Sequence, residues 1–314
     1  MKKQSSFNAI LQNKYFAYMN RKIRNGILLG ITAATLWGIS GTLGQFLFQQ
    51  RGINVEWLIT VRLLISGVGL LILAKTTKND IFSIWKNRKD AIELMLFSII
   101  GMVGVQYTYF AAIKHSNAAT ATVLQFAGPI FIAIYLAIKY KRLPKKLELL
   151  AIILAVLGTF LLVTHGKVGT LSISGIALFF GIASAITLAI YTLQPKRLLA
   201  KYNSALVVGW GMFVGGIAFS FVKAPWQVEG SWDLSTYFCV AFIIVLGTLI
   251  AFYSYLNAVK IIGGQKTSLL ASAEPLVAVI LSVIWLKIPF TMVDWIGSLC
   301  IISTVFLLTK KESR

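Results

Sequence analysis

The sequence predicts an all-α integral membrane protein: ten transmembrane helices forming two inverted five-helix repeats, with N- and C-termini in the cytoplasm. Three observations predict it. First, 57% of the 314 residues are hydrophobic and only 13% charged, against about 45–50% and ~25% in an ordinary soluble domain. Second, the apolar residues fall in runs near 20, the length that crosses ~30 Å of hydrocarbon at 1.5 Å per residue. Third, the basic residues sort by side.

The runs cover 26–47, 57–74, 92–112, 118–138, 147–164, 171–193, 203–222, 237–259, 264–286 and 291–309. The remainder is too short for a separate soluble domain. Residues 1–25 are a basic tail whose charges are interspersed among apolar residues, unlike a signal peptide. This tail is either a short helix lying on the membrane surface or disordered, and Met19 is an alternative start. Residues 310–314 form a second tail. With the N-terminus on one side, 24 of the 30 Lys and Arg fall on that side and 5 on the other, Arg62 lying within the second span. The positive-inside rule then makes both termini cytoplasmic in a bacterial plasma membrane. The net charge of +20 is therefore an orientation signal, and no nucleic-acid partner is expected. Cys239 and Cys300 lie in apolar runs and suggest neither a disulfide framework nor a zinc site.

The two halves, 26–164 and 172–309, resemble one another. At an offset of 146, Tyr107 meets Tyr253, Tyr109 meets Tyr255, Leu124 meets Leu270 and Pro129 meets Pro275. Five spans per half is odd, so the halves enter the bilayer from opposite sides. This is the inverted repeat of many secondary transporters, whose substrate sites lie near the midplane between the repeats.

Within the spans, a few residues call for explanation. Glu274 is placed near the middle of span nine, the one acid deep in the bilayer. A carboxylate there costs about 2.5–3.5 kcal/mol on insertion scales. It either binds an ammonium group or a proton, or it hydrogen-bonds backbone freed by Pro275. Pro129 and Pro275, mid-helix in spans four and nine, are expected to kink them and act as hinges, or else only to shape packing. Polar and aromatic side chains gather in spans one, three, four, six and eight. Of these Trp37, Gln125, Tyr191 and Tyr253 are the expected cavity residues, the rest serving interhelical hydrogen bonds and interfacial belts. Arg62, about five residues into span two, is expected to snorkel to the surface rather than bind a substrate carboxylate. Gly26/Gly30 and Gly211/Gly215 are GxxxG pairs, signs of close helix contact; a homodimer is left open.

Enzyme readings are poor. Gly38-Ile39-Ser40-Gly41 has the form of an intramembrane serine nucleophile, but His115 and His165 stand at span ends. Gly263-Gly264-Gln265-Lys266-Thr267 lacks the glycine that a phosphate loop places before its lysine. No metal motif is present in the sequence, and no cofactor is expected.

The stretches 26–41 (GILLGITAATLWGISG), 116–129 (SNAATATVLQFAGP) and 268–282 (SLLASAEPLVAVILS) resemble the EamA-type branch of the drug/metabolite transporter superfamily. The resemblance covers 26–309 and includes Glu274-Pro275 in the second-repeat motif. It departs where the family often has Leu-Gly-Glu after spans four and nine. Here Ile138-Lys139-Tyr140 and Trp285-Leu286-Lys287 stand, so no role for those acids carries over. The resemblance implies a ten-helix carrier of small metabolites such as amino acids or amines, commonly an exporter. Its expected partners are that substrate, the bilayer, and a proton or other coupling ion. The alternative is a translocase of lipids or lipid-linked precursors.

Overall fold

A computed structural model describes residues 2–141, 143, 146–165, 173–262, 267 and 270–309, with side chains from residue 21 onward except at 129, 133, 148, 163, 305, 308 and 309. The 310–314 tail, the start of span nine and the segment 263–266 lie outside the described residues.

The described residues are helical, with no strand among them. In order come α1 (Lys2–Gln50), α2 (Val55–Thr76), α3 (Arg88–His115), α4 (Ala118–Gln125), α5 (Gly128–Lys139), α6 (Lys146–Thr164) and α7 (Gly175–Leu193). Then follow α8 (Lys196–Lys201), α9 (Ser204–Phe219), α10 (Leu234–Ile262), α11 (Ala273–Ile284) and α12 (Met292–Thr309). Six helical stretches are long and apolar enough to cross a membrane, and four shorter apolar helices accompany them. The basic tail is no separate element: α1 runs unbroken through it into the first span.

Polar caps set the helix starts. Asn54, Asn117 and Asp233 accept the N–H three residues on, from Trp57, Thr120 and Thr236, and Asn87 accepts from Lys89 and Asp90. Each satisfies a donor that the first turn leaves without an intrahelical partner. Asn87 starts α3 four residues before the apolar run, which draws Asp90 into the helix.

Two pairs of irregularities fall at related positions of the two halves. Helices α3 and α10 each contain a π segment, Phe97–Val103 and Val245–Ile250. The fourth span is divided between α4 and α5, where the Ala127 N–H bonds only three residues back, to Leu124 O at 3.0 Å. In the second half α11 begins at Ala273, after a turn at Ser272. Neither proline is therefore a mid-helix kink. Pro129 and Pro275 both occupy the first turn of a new helix, where the N–H that proline lacks has no intrahelical partner anyway. Glu274 moves with them, from the expected helix centre to the first turn of α11.

Glycines set the closest crossings. A Cβ on Gly67 of α2 would lie 2.6 Å from Phe213 N of α9, and one on Gly216 of α9 would lie 2.9 Å from Leu64 N. These helices pack backbone to backbone. Likewise Gly158 of α6 and Gly297 of α12 each lie against the other's carbonyl. The GxxxG pairs are consumed inside the chain: Gly26 and Gly30 face Ile261, Ile262 and Leu270, while Gly211 and Gly215 face Phe97 and Ser98. The main core joins α1, α2, α3, α9 and α10, and a smaller one joins α4, α6, α11 and α12.

Candidate functional site

Helix α1 positions the candidate site because it threads between elements of both halves. Gly38 lies against the first turn of α11, where a Cβ would come 2.8 Å from Glu274 O. One turn on, Gly41 leaves room for the Tyr109 hydroxyl, which a Cβ there would meet at 2.5 Å. Larger residues at either place would push the acid or the tyrosine aside.

Glu274 is buried, 8% exposed. Its carboxylate has no hydrogen-bond or ion-pair partner among the described residues. Its place in the first turn of α11 sets it at the positive end of the helix dipole, which favours an anion. Three groups lie within electrostatic reach of it: the Arg62 guanidinium and the Tyr109 and Tyr255 hydroxyls. Tyr109 is fixed by a 2.7 Å hydrogen bond with the Thr122 hydroxyl of α4.

Arg62 does not snorkel. It is 6% exposed, donates from Nε to the Thr248 hydroxyl at 2.6 Å, and lies 4.9 Å from the centroid of the Phe110 ring. Thr248 belongs to the π segment of α10, and its own hydroxyl donates to Ile243 O at 2.7 Å. Thr248 thus presents a hydroxyl oxygen to α2. The guanidinium turns inward because its face of α2 meets this oxygen and an aromatic ring, not lipid.

The remaining expected cavity residues are placed unequally. Trp37 of α1 packs edge-on to Phe252 and tilted against Tyr255, both ring centroids at 5.2 Å. Gln125, buried, is the last residue of α4, on the same helix face as Thr122 one turn earlier. Tyr191 stacks on Phe97, in the π segment of α3, with centroids 5.6 Å apart, and lies within electrostatic reach of Tyr255. Tyr253 is 44% exposed and points away from this group. Tyr255 takes the inward position. The repeat alignment carried the signal for it, since Tyr255 is the equivalent of Tyr109 and both lie within electrostatic reach of Glu274.

Two further acids are fully buried and were missed in the sequence. Asp90 and Asp294 are 0% exposed, each near the start of a helix. Asp294 accepts from the Thr291 N–H and hydroxyl at 2.7 and 2.8 Å and meets His165 Nδ1 at 2.5 Å. No cluster of His, Cys, Asp and Glu that could hold a metal ion is found among the described residues.

The assembled site is a buried carboxylate and a buried guanidinium, not directly paired, with aromatic walls and tyrosine hydroxyls between elements of both halves. Among the described residues this group includes no nucleophile with a base beside it.

The profile of the EamA-like transporter family matches twice, over residues 24–164 and 175–310. The chain is 43% identical over 295 residues to the uncharacterized inner membrane transporter YicL of Salmonella typhimurium, covering 93% of this chain and 97% of YicL. It is 25% identical over 294 residues to the threonine/homoserine exporter RhtA of Escherichia coli, covering 92% and 93%. One crystal structure shares the fold with a TM-score of 0.61 at 18% identity, over 90% of this chain and 95% of its own. With both halves matched, the chain belongs to the EamA-like transporter family, and it is a multi-pass membrane transporter.

Proposed function

We propose that the chain is a secondary transporter that exports small metabolites of amino-acid or amine type. Ten spans in two inverted halves would alternate access around Glu274, with both termini in the cytoplasm. The observation that carries this reading is the buried Glu274 carboxylate, without a direct partner, at the start of a helix after a break. A buried charge needs compensation. A substrate ammonium supplies it on binding, and a proton supplies it when the site is empty. Arg62, held by Thr248, is placed to receive a substrate carboxylate, and Trp37, Tyr191, Tyr255 and Gln125 line the path. Pro129 and Pro275, each opening a helix after a break, mark where the fourth and ninth spans flex. The exporter RhtA supports both the direction and the substrate class.

Counterflow in proteoliposomes tests it, using labelled amino acids and amines with and without a pH gradient. At least one compound should exchange, and Glu274→Gln should abolish exchange or its pH dependence. Exchange of none, with translocation of labelled lipid instead, replaces this reading by the lipid translocase.

A further inference from the structure

Two contacts at opposite ends of α2 share one design. At the end where α2 begins, Arg51 Nη2 meets Asp233 Oδ2 at 3.0 Å, joining the end of α1 to the start of α10. Beside it, the Trp57 indole N–H donates to Pro225 O at 2.8 Å, and Trp57 meets Trp232 edge to face at 5.3 Å and 87°. At the other end, Arg197 Nη2 meets Asp90 Oδ1 at 2.9 Å, joining α8 to the start of α3. Here the Trp210 indole N–H donates to Ile81 O at 2.7 Å, and Trp210 meets Trp85 edge to face at 5.2 Å and 84°. Arg51 and Arg197 stand 146 positions apart, the offset that aligns Tyr109 with Tyr255. Each half thus offers an arginine after its first span to an aspartate before the third span of the other half. An indole alongside grips the loop leading to that aspartate.

The indole grips flank α2 and α9, which pack backbone to backbone and form a fixed pair. The ion pairs lie outside that pair, and their aspartates stand at the starts of the helices that carry the π segments. They are unequal. In the Arg51 pair the side chains are 30% and 51% exposed, so water and salt screen it. Asp90 is 0% exposed, although its cations Arg197 and Lys201 are 54% and 51% exposed, and it has three partners, since Lys201 Nζ and the Tyr202 hydroxyl also reach its Oδ2, at 2.5 and 2.7 Å. Arg197 also engages Glu93. A carboxylate shielded from water and held by three groups is harder to separate from its cations than an exposed one with a single cation.

We infer that the two ion pairs are latches of unequal strength, one at each membrane face, and that the Asp90 latch sets the resting orientation of the carrier. This rests on the alternating-access reading. The Asp90 face stays shut by default, and the empty carrier opens first at the Arg51 face. The charge sorting makes the Asp90 face cytoplasmic.

Double electron–electron resonance tests this without any substrate. Spin labels at Lys89 and Ala200 report on the Asp90 face, and labels at Gln50 and Leu234 report on the other, in a chain with Cys239 and Cys300 replaced by serine. Asp90→Asn should add a longer-distance population across Lys89 and Ala200 and none across Gln50 and Leu234. Asp233→Asn should do the reverse, with a smaller shift in population. Lys201→Gln, which leaves Arg197 in place, should give an intermediate opening and covers the case in which Asp90→Asn does not fold. Unchanged distances in Asp90→Asn or Lys201→Gln with only a lower Tm overturn the inference and make the contacts static staples. Failure to find a transported compound leaves these distances readable, so the two readings fail separately.

Discussion

Gly38→Ala probes the site through its backbone and leaves every polar group in place. The added methyl would lie 2.8 Å from Glu274 O, 2.8 Å from Val277 Cβ and 3.0 Å from Val277 Cγ1. Comfortable carbon contacts begin near ~3.5 Å, so the first turn of α11 must retreat from α1 by roughly 0.5–1 Å. A backbone carbonyl cannot rotate away as a side-chain tip can. Overpacking of this kind costs about 1–3 kcal/mol, and alanine returns about 0.8–1 kcal/mol of helix propensity over glycine. The net is a loss of about 1 kcal/mol in stability. The same retreat carries the Glu274 carboxylate away from Arg62 and Tyr109. Losing one charge-assisted hydrogen bond to substrate, worth about 1.5–3 kcal/mol, raises the apparent KM about tenfold or more. Gly175→Ala is the matched control, because nothing lies within 4 Å of its Cβ. The assay is a thermal melt of purified protein in detergent, paired with uptake over a range of substrate concentrations. A Gly38→Ala protein that melts with the Gly175→Ala control and keeps the wild-type KM would refute the placement of Glu274 against α1.

Arg62→Lys keeps the charge but loses the Nε donor to Thr248 and the planar contact with Phe110, so uptake should fall about tenfold, a loss of about 1.4 kcal/mol. Uptake equal to wild type at matched expression would show that only the charge matters. Asp233, which caps α10, is held below the usual carboxylate range by the Ser235 hydroxyl first, then by the Thr236 N–H and hydroxyl, and also by Arg51. Its folded value lies below its unfolded one, so its stabilisation is complete above about pH 4 and is lost as pH falls through the folded value. The Tm gap between wild type and Asp233→Ala should therefore be flat from pH 8 to 5 and shrink only below about pH 4; a gap that closes between pH 7 and 5 contradicts this assignment.

The membrane-spanning character and the family were legible because hydrophobic run length and motif spelling are properties of the chain itself. What was misread depended on where helices start and break and on rotation about a helix axis. Arg62 has a known depth in α2, but depth does not say which face it occupies, and that face meets Thr248 and Phe110. Asp90 precedes the apolar run that begins at Ile92, whereas the Asn87 cap starts the helix at Arg88. Pro129 and Pro275 announce a missing donor equally well in mid-helix and in a first turn; only the breaks before α5 and α11 decide between them.

Tyr253 and Tyr255 show the most general form of the difficulty. Two positions apart on a helix, they point to nearly opposite sides, so choosing between them requires a count of helical phase from some fixed residue. The π segment Val245–Ile250 lies just upstream, and such an insertion rotates everything after it by about one residue, near 100°. A count from the start of the apolar run is wrong by that amount. The first half has the same construction, with the π segment Phe97–Val103 upstream of Tyr107 and Tyr109, and there too the second tyrosine is the less exposed of the two. The repeat therefore carries the correction that local periodicity lacks. When both halves bear the same phase shift, the residue that faces the site in one half identifies its counterpart in the other, and Tyr109 points to Tyr255.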